Sequence, residues 1–169
     1  MRRVFYSFHY ERDAWRVNQV RNMGVVDGNP PASPNKWEEI KRAGENAIKR
    51  WIQEQMSGRS CVVVLIGRET ANRPWVLYEI AYGWNREMGV VGVYVHNLKD
   101  KDGRTDLMGP NPFDRLAFTL SSGKKVPMSQ IVRAYDPPAD DAYGYIRSNL
   151  AGWIEEAIKI RENFKYLSF

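Results

Sequence analysis

Histidine and cysteine are almost absent from this 169-residue chain: His9, His96 and Cys61 are all it has. A single thiol permits no intramolecular disulfide and no cysteine-based metal site, which points to a reducing, cytosolic setting. With two histidines and no carboxylates clustered at ligand spacing, no metal centre is expected. Neither a G-x-G-x-x-G turn nor a G-x-x-x-x-G-K-[ST] loop occurs, so the Rossmann fingerprint and the P-loop are both excluded. No apolar run approaches the ~20 residues of a membrane span, and Met1–Ser7 lacks the apolar core of a signal peptide. Repeats, low-complexity tracts and an internal linker are also missing. The expectation is one domain over residues 1–169, cytoplasmic and not membrane-bound.

Aromatics are plentiful instead. Six Trp and nine Tyr contribute to a 12% aromatic share, more than a core alone demands, and a planar ligand needs such surfaces. Hydrophobic content of 43% and charged content of 27% are ordinary for a globular protein. The formal charge of +5 is dispersed. No helix carries a basic stripe, so no nucleic-acid partner is expected, whereas a small anion such as a dinucleotide suits the balance.

Val4–Phe8 reads as a first strand and residues 14–23 as a short helix. Asp27–Pro34 is a turn-rich loop. A helix is expected over 36–56, started either by Asn35 with Glu38 or by Ser33 with Pro34, and stopped at Gly58. Cys61–Ile66 is apolar without interruption, the mark of a strand covered on both faces. A helix over 74–88 opens on Pro74, whose missing N–H costs nothing at the first helical position. Strands near 90–95 and 129–134 and a helix over 141–162 complete the pattern. The alternation gives an α/β fold around a mostly parallel central sheet, with four strands identifiable and room for a fifth. The polar stretch 97–127 is open to two readings, a lid or a partner-binding surface.

In such sheets ligands bind beyond the carboxyl ends of the strands. The segments expected there are Ser7–Tyr10, Gly67–Trp75 and the loop after Val95. Ser7 and His9 share a direction on an extended chain, but no third group completes a nucleophilic triad. Asp13 sits where receiver domains take phosphate, without the acidic cluster that magnesium requires. Within the 74–88 helix, Leu77, Ile80, Ala81, Trp84 and Met88 form the expected core stripe, while Glu79 and Trp75 share a different face. A glutamate so early in a helix is favoured by the macrodipole alone, so local pattern leaves Glu79 either solvated or lining a cleft.

Val4–Phe8 resembles the opening "VFxSF" strand of TIR domains, and Ser60–Glu79 resembles their central strand, loop and W-x-x-x-E helix. More closely, Arg3–Tyr10, Asn22, Val25–Val26, Trp37–Glu38, Leu65–Thr70, Asn72–Ile80 and Gly109–Pro112 resemble, in order, the TIR-like ThsB family of bacterial Thoeris anti-phage systems. The resemblance implies a flavodoxin-like three-layer sandwich and an enzyme that cleaves the nicotinamide–ribose bond of NAD. The ADP-ribose part is cyclised into a diffusible messenger for a separate effector, ThsA. It implies Glu79 as the catalytic residue and Tyr6, Ser7, Phe8, His9 and Tyr10 as substrate-binding, and the aromatic wall adds Trp37 and Trp75. NAD enters as substrate, so no cofactor is expected. A phage-protein trigger and a homo-oligomer are possible partners. His9-Tyr10-Glu11 and Trp75-Val76 depart from the plant-type "SFRGED" and Trp-Cys patterns, which implies a different substrate orientation. Two rivals stand beside this reading: a non-catalytic TIR-like interaction module, and an enzyme that transfers nucleoside or deoxyribosyl groups.

Overall fold

Five parallel strands form the central sheet in a computed structural model that describes residues 1–169. They are β1 (Arg3–Ser7), β2 (Asp27–Gly28), β3 (Cys61–Ile66), β4 (Gly89–Tyr94) and β7 (Ala134–Tyr135), in the spatial order β2-β1-β3-β4-β7. That is the doubly wound order of flavodoxin-like folds, with a topological switch point where the chain passes to opposite sides of β1. A separate antiparallel hairpin joins β5 (Ala117–Thr119) to β6 (Lys125–Pro127).

Helices α1 (Tyr10–Arg21) and α5 (Ala142–Asn163) cover one face; α2 (Pro34–Arg42), α3 (Glu45–Met56) and α4 (Pro74–Asn85) cover the other. The alternation along β3 explains why its apolar run is unbroken. Cys61, Val63 and Leu65 pack towards α1 and α5, while Val62, Val64 and Ile66 pack towards α3 and α4. Each of these six side chains is fully buried, at ~1.5–3 kcal/mol for a residue of Val or Leu size.

Several boundaries differ from expectation, each for a local reason. The helix expected over 36–56 is two helices, because Gly44 takes φ +99° between them, a conformation closed to most side chains. Of the two proposed starts, Ser33 is the cap: its hydroxyl accepts from the Lys36 N–H at 3.1 Å, with Pro34 at the first position. Helix α1 begins four residues earlier than expected, since His9 caps it. The fifth strand is β2, inside the segment read as a loop; its two residues pair with Arg3 and Val4 of β1. The strand expected over 129–134 is instead a 3₁₀ turn at Met128–Gln130 followed by β7. Its apolar residues, Ile131 and Val132, pack beside the sheet without joining the ladder.

The stretch 97–127 divides its work. Arg16 donates to the carbonyls of Leu98 and Arg104 at 2.8 and 3.0 Å, and Arg12 bonds Asp106 at 2.7 Å, so the first half braces α1. The hairpin places Phe118 against Trp84 of α4, with ring centroids 5.1 Å apart. No helix in the chain is long and apolar enough to cross a membrane.

Candidate functional site

Of the stripe expected along this helix, Ile80, Trp84 and Met88 are buried, but the inner face of α4 is rotated from the one expected. Its buried face carries Val76, Glu79, Ile80, Gly83 and Trp84, while Leu77 and Ala81 are only half-buried. Gly83 is the physical reason. A β-carbon there would lie 2.4 Å from Val62 Cγ2, so the missing side chain lets α4 settle directly on β3. One turn earlier on the same face, Glu79 is thereby carried inward to the end of β1.

There the Ser7 hydroxyl donates to Glu79 Oε1 at 2.7 Å, a bond buried on both sides. Burial raises the Glu79 pKa to about 8, and the Ser7 hydrogen bond offsets part of that rise. At pH 7 the carboxyl is therefore mostly protonated. A group so displaced from its ordinary range, at the switch point of a doubly wound sheet, has the profile of a working acid or base.

A cavity opens in front of Glu79, and its walls are largely aromatic. Tyr6 and Phe8 close it from β1 and the residues after it, Tyr10 from α1, and Trp37 from α2. The rings run on as a chain: Phe8 to Tyr10 at 6.2 Å, Tyr10 to Trp37 at 6.0 Å, and Trp37 to Trp51 at 5.8 Å. Trp75 and Val76 complete the wall beside Glu79. The Tyr10 hydroxyl donates to the Ala32 carbonyl at 2.7 Å, tying the β2–α2 loop across the opening. No residue of 97–127 lines this cavity, so a lid function for that stretch finds no support here.

The structure thus brings Glu79 together with Tyr6, Phe8, Tyr10, Trp37 and Trp75 around one space. Ser7 holds Glu79 from behind and is not itself part of the lining. His9 corrects the expectation: it stands outside the wall. Its Nδ1 accepts from the Arg12 N–H at 3.2 Å and caps α1, so the ring is turned into the helix start. Burial, and then the positive charge of Arg73, push the His9 pKa down and favour the neutral acceptor form that the cap needs.

Arg21, Asn29, Ala32, Trp51 and Val76 line the cavity without having been singled out for the site in the sequence, and Arg73 lies in the Gly67–Trp75 segment expected at this edge without having been named. Asn29 follows β2, where its side-chain oxygen accepts from the Tyr6 N–H at 2.9 Å. Arg21 donates to the Asn29 carbonyl and lays its guanidinium over the rings of Tyr6 and Phe8, 5.2 and 5.7 Å from their centroids. Only Arg73 had a usable signal, its place immediately before Pro74 at the head of the Glu79 helix.

Comparison with known proteins identifies a family. Residues 5–100 match the family described as Thoeris protein ThsB, TIR-like domain. A protein of Bacillus cereus (strain MSX-D12), named "Putative cyclic ADP-D-ribose synthase ThsB1", is 33% identical over an alignment of 187 residues. That alignment covers 87% of this chain and 97% of the relative.

Proposed function

The chain belongs to the Thoeris ThsB TIR-like family, and from that premise we propose that it cleaves the nicotinamide–ribose bond of NAD and cyclises the ADP-ribose part. The observation that carries the proposal is the buried Ser7–Glu79 pair at the foot of an aromatic-walled cavity. The relative's name supports a cyclic ADP-ribose product. In this reading the product is a diffusible signal for the effector ThsA in cytoplasmic anti-phage defence, released when a phage component triggers the enzyme.

The chemistry follows from the site's electrostatics. Nicotinamide in NAD is cationic, and a cation entering a low-dielectric cavity lowers the pKa of a neighbouring carboxyl. Glu79, mostly protonated at pH 7, is driven towards its ionised form by the bound substrate and releases its proton to water. As the glycosidic bond lengthens, positive charge moves from the nicotinamide ring onto the ribose. The carboxylate stabilises that oxocarbenium-like centre, and nicotinamide departs neutral without a strong general acid. Ser7 aims Glu79 by holding one oxygen. Tyr10, Trp37 and Trp75 stack the rings and keep water from intercepting the ribose, which favours capture by the same molecule's adenine.

The cavity is narrow, about 70 Å³, against the roughly 300 Å³ or more of a site that holds a drug-sized ligand. The Tyr10–Ala32 bond holds the β2–α2 loop at its edge. A purely adaptor role would leave Glu79 on a convex, solvated face, and its position in the cavity argues for chemistry instead.

The test is a mass balance on NAD incubated with the purified protein, with and without extract of phage-infected cells. Nicotinamide and a cyclic ADP-ribose isomer should appear in equal amounts. Consumption of nucleosides or deoxynucleosides in preference to NAD would favour the glycosyl-transferring alternative and overturn the proposal.

A further inference from the structure

Arg21 is a half-buried cation without an acidic partner. Arg16, on the same helix, faces Asp13 and Asp100 at 3.9 Å each, and Arg12 faces Glu69 and Asp106. No carboxylate comes within 4 Å of Arg21, and its Nε is buried with no hydrogen-bond partner. The ring beneath it, Tyr6, offers no charge, since burial pushes that phenol up to about 12. Arg73, in the same lining, makes no side-chain hydrogen bond and no ion pair. The only acid in the lining is Glu79, mostly neutral at pH 7, so the lining carries net positive charge.

A buried guanidinium lacking a counter-charge is costly unless a ligand supplies one. The planar fork of arginine suits the oxygens of a phosphate. Both arginines line the same cavity as Glu79. In a nicotinamide dinucleotide the diphosphate lies one ribose away from the bond that breaks. Resting on the reading above, we propose that Arg21 and Arg73 form the diphosphate-binding pair, anchoring the dinucleotide while its glycosidic bond lies at Glu79.

The test measures binding of NAD, ADP-ribose and nicotinamide riboside by calorimetry to the wild type, Arg73→Gln, Arg21→Gln and Arg21→Lys. ADP-ribose keeps the diphosphate and lacks the scissile bond; the riboside keeps the bond and lacks phosphate. Each Gln substitution should weaken NAD and ADP-ribose about 10-fold or more and leave the riboside within about twofold, with Arg21→Lys partly restoring affinity. Arg73→Gln removes no side-chain hydrogen bond or ion pair within the protein, so it reports even if Arg21→Gln fails to fold. Equal losses for the riboside, unchanged ADP-ribose affinity in Arg73→Gln, or no ADP-ribose binding by the wild type would overturn the pair. A wild type that binds ADP-ribose through these arginines without cleaving NAD would keep the pair and overturn the enzymatic reading.

Discussion

Replacing Glu79 with Gln should stabilise the protein at neutral pH while removing its chemistry. The folded carboxyl titrates at about 8 against an ordinary 4.5. A carboxyl whose folded pKa lies above its unfolded value holds its proton more tightly when folded. Its contribution is therefore fully present below pH 4.5 and is lost as pH rises towards 8. At pH 7 the unfolded chain has ionised this group and the folded chain has not, a difference of about 2.5 pH units. At 1.36 kcal/mol per unit, folding with Glu79 costs about 3 kcal/mol there. Gln stays neutral, keeps the shape, and presents an oxygen to the Ser7 hydroxyl. Glu79→Gln should accordingly melt higher at pH 7 by about 6–12 °C, from ~2–4 °C per kcal/mol in a domain of this size. The gap should close near pH 4.5 and widen towards pH 8. Thermal melts of both proteins across that range are the assay, and contributions from other groups cancel in the difference. A gap independent of pH, or a variant less stable than the wild type at pH 8, would refute the reasoning.

Three further perturbations separate the parts of the site. Ser7→Ala removes the one hydrogen bond that lowers the Glu79 pKa. At ~1.5–3 kcal/mol for a bond to a charged group, the acid limb of the pH–rate profile should move up by about 1–2 units. An unmoved limb would show that Ser7 does not hold the ionised form. Gly83→Ala puts a methyl 2.4 Å from Val62 Cγ2, and overpacking of ~1–3 kcal/mol should exceed the helix-propensity gain of ~1 kcal/mol. A lower melting temperature and a slower enzyme are expected; a more stable variant with full activity would mean that α4 needs no close approach. Asp13 is buried with both carboxylate oxygens lacking a hydrogen bond, and burial raises its pKa to about 6. Its stabilising share is present below about pH 4 and lost as pH rises to 6, so the stability of Asp13→Asn should fall less steeply over that interval. An unchanged slope in denaturant titrations would contradict this.

How much of this was legible in the sequence depends on the residue. The unbroken run Cys61–Ile66 announced a strand covered on both faces, because no polar side chain in it needed water. Pro74 marked the start of α4, and Ser33 with Pro34 marked α2. The break at Gly44 was hidden, since the apolar spacing runs across it from Trp37 to Met56 and only the left-handed backbone divides the helix. Strand β2 was hidden because Asp27 and Gly28 pair through backbone alone. Glu79 is the instructive case. Periodicity assigned the inner face of α4 to Leu77, Ile80, Ala81, Trp84 and Met88, of which Leu77 and Ala81 are only half-buried. Gly83 reset that face by allowing close contact with Val62, and turned a glutamate inward. The family resemblance named the residue, and the packing explains how it is buried. Arg21 had no signal at all: ten residues beyond Glu11 in α1, it reaches the site only because β2 and Asn29 fold back beside β1.

The most direct measurement is the rate of nicotinamide release from NAD by the triggered wild type and by Glu79→Gln, side by side. The geometry predicts a loss of at least ~100-fold, the scale on which removal of one charge-stabilising group acts. Because Glu79→Gln should melt higher and not lower, instability cannot account for such a loss. A well-folded variant releasing nicotinamide at the wild-type rate would contradict the central claim.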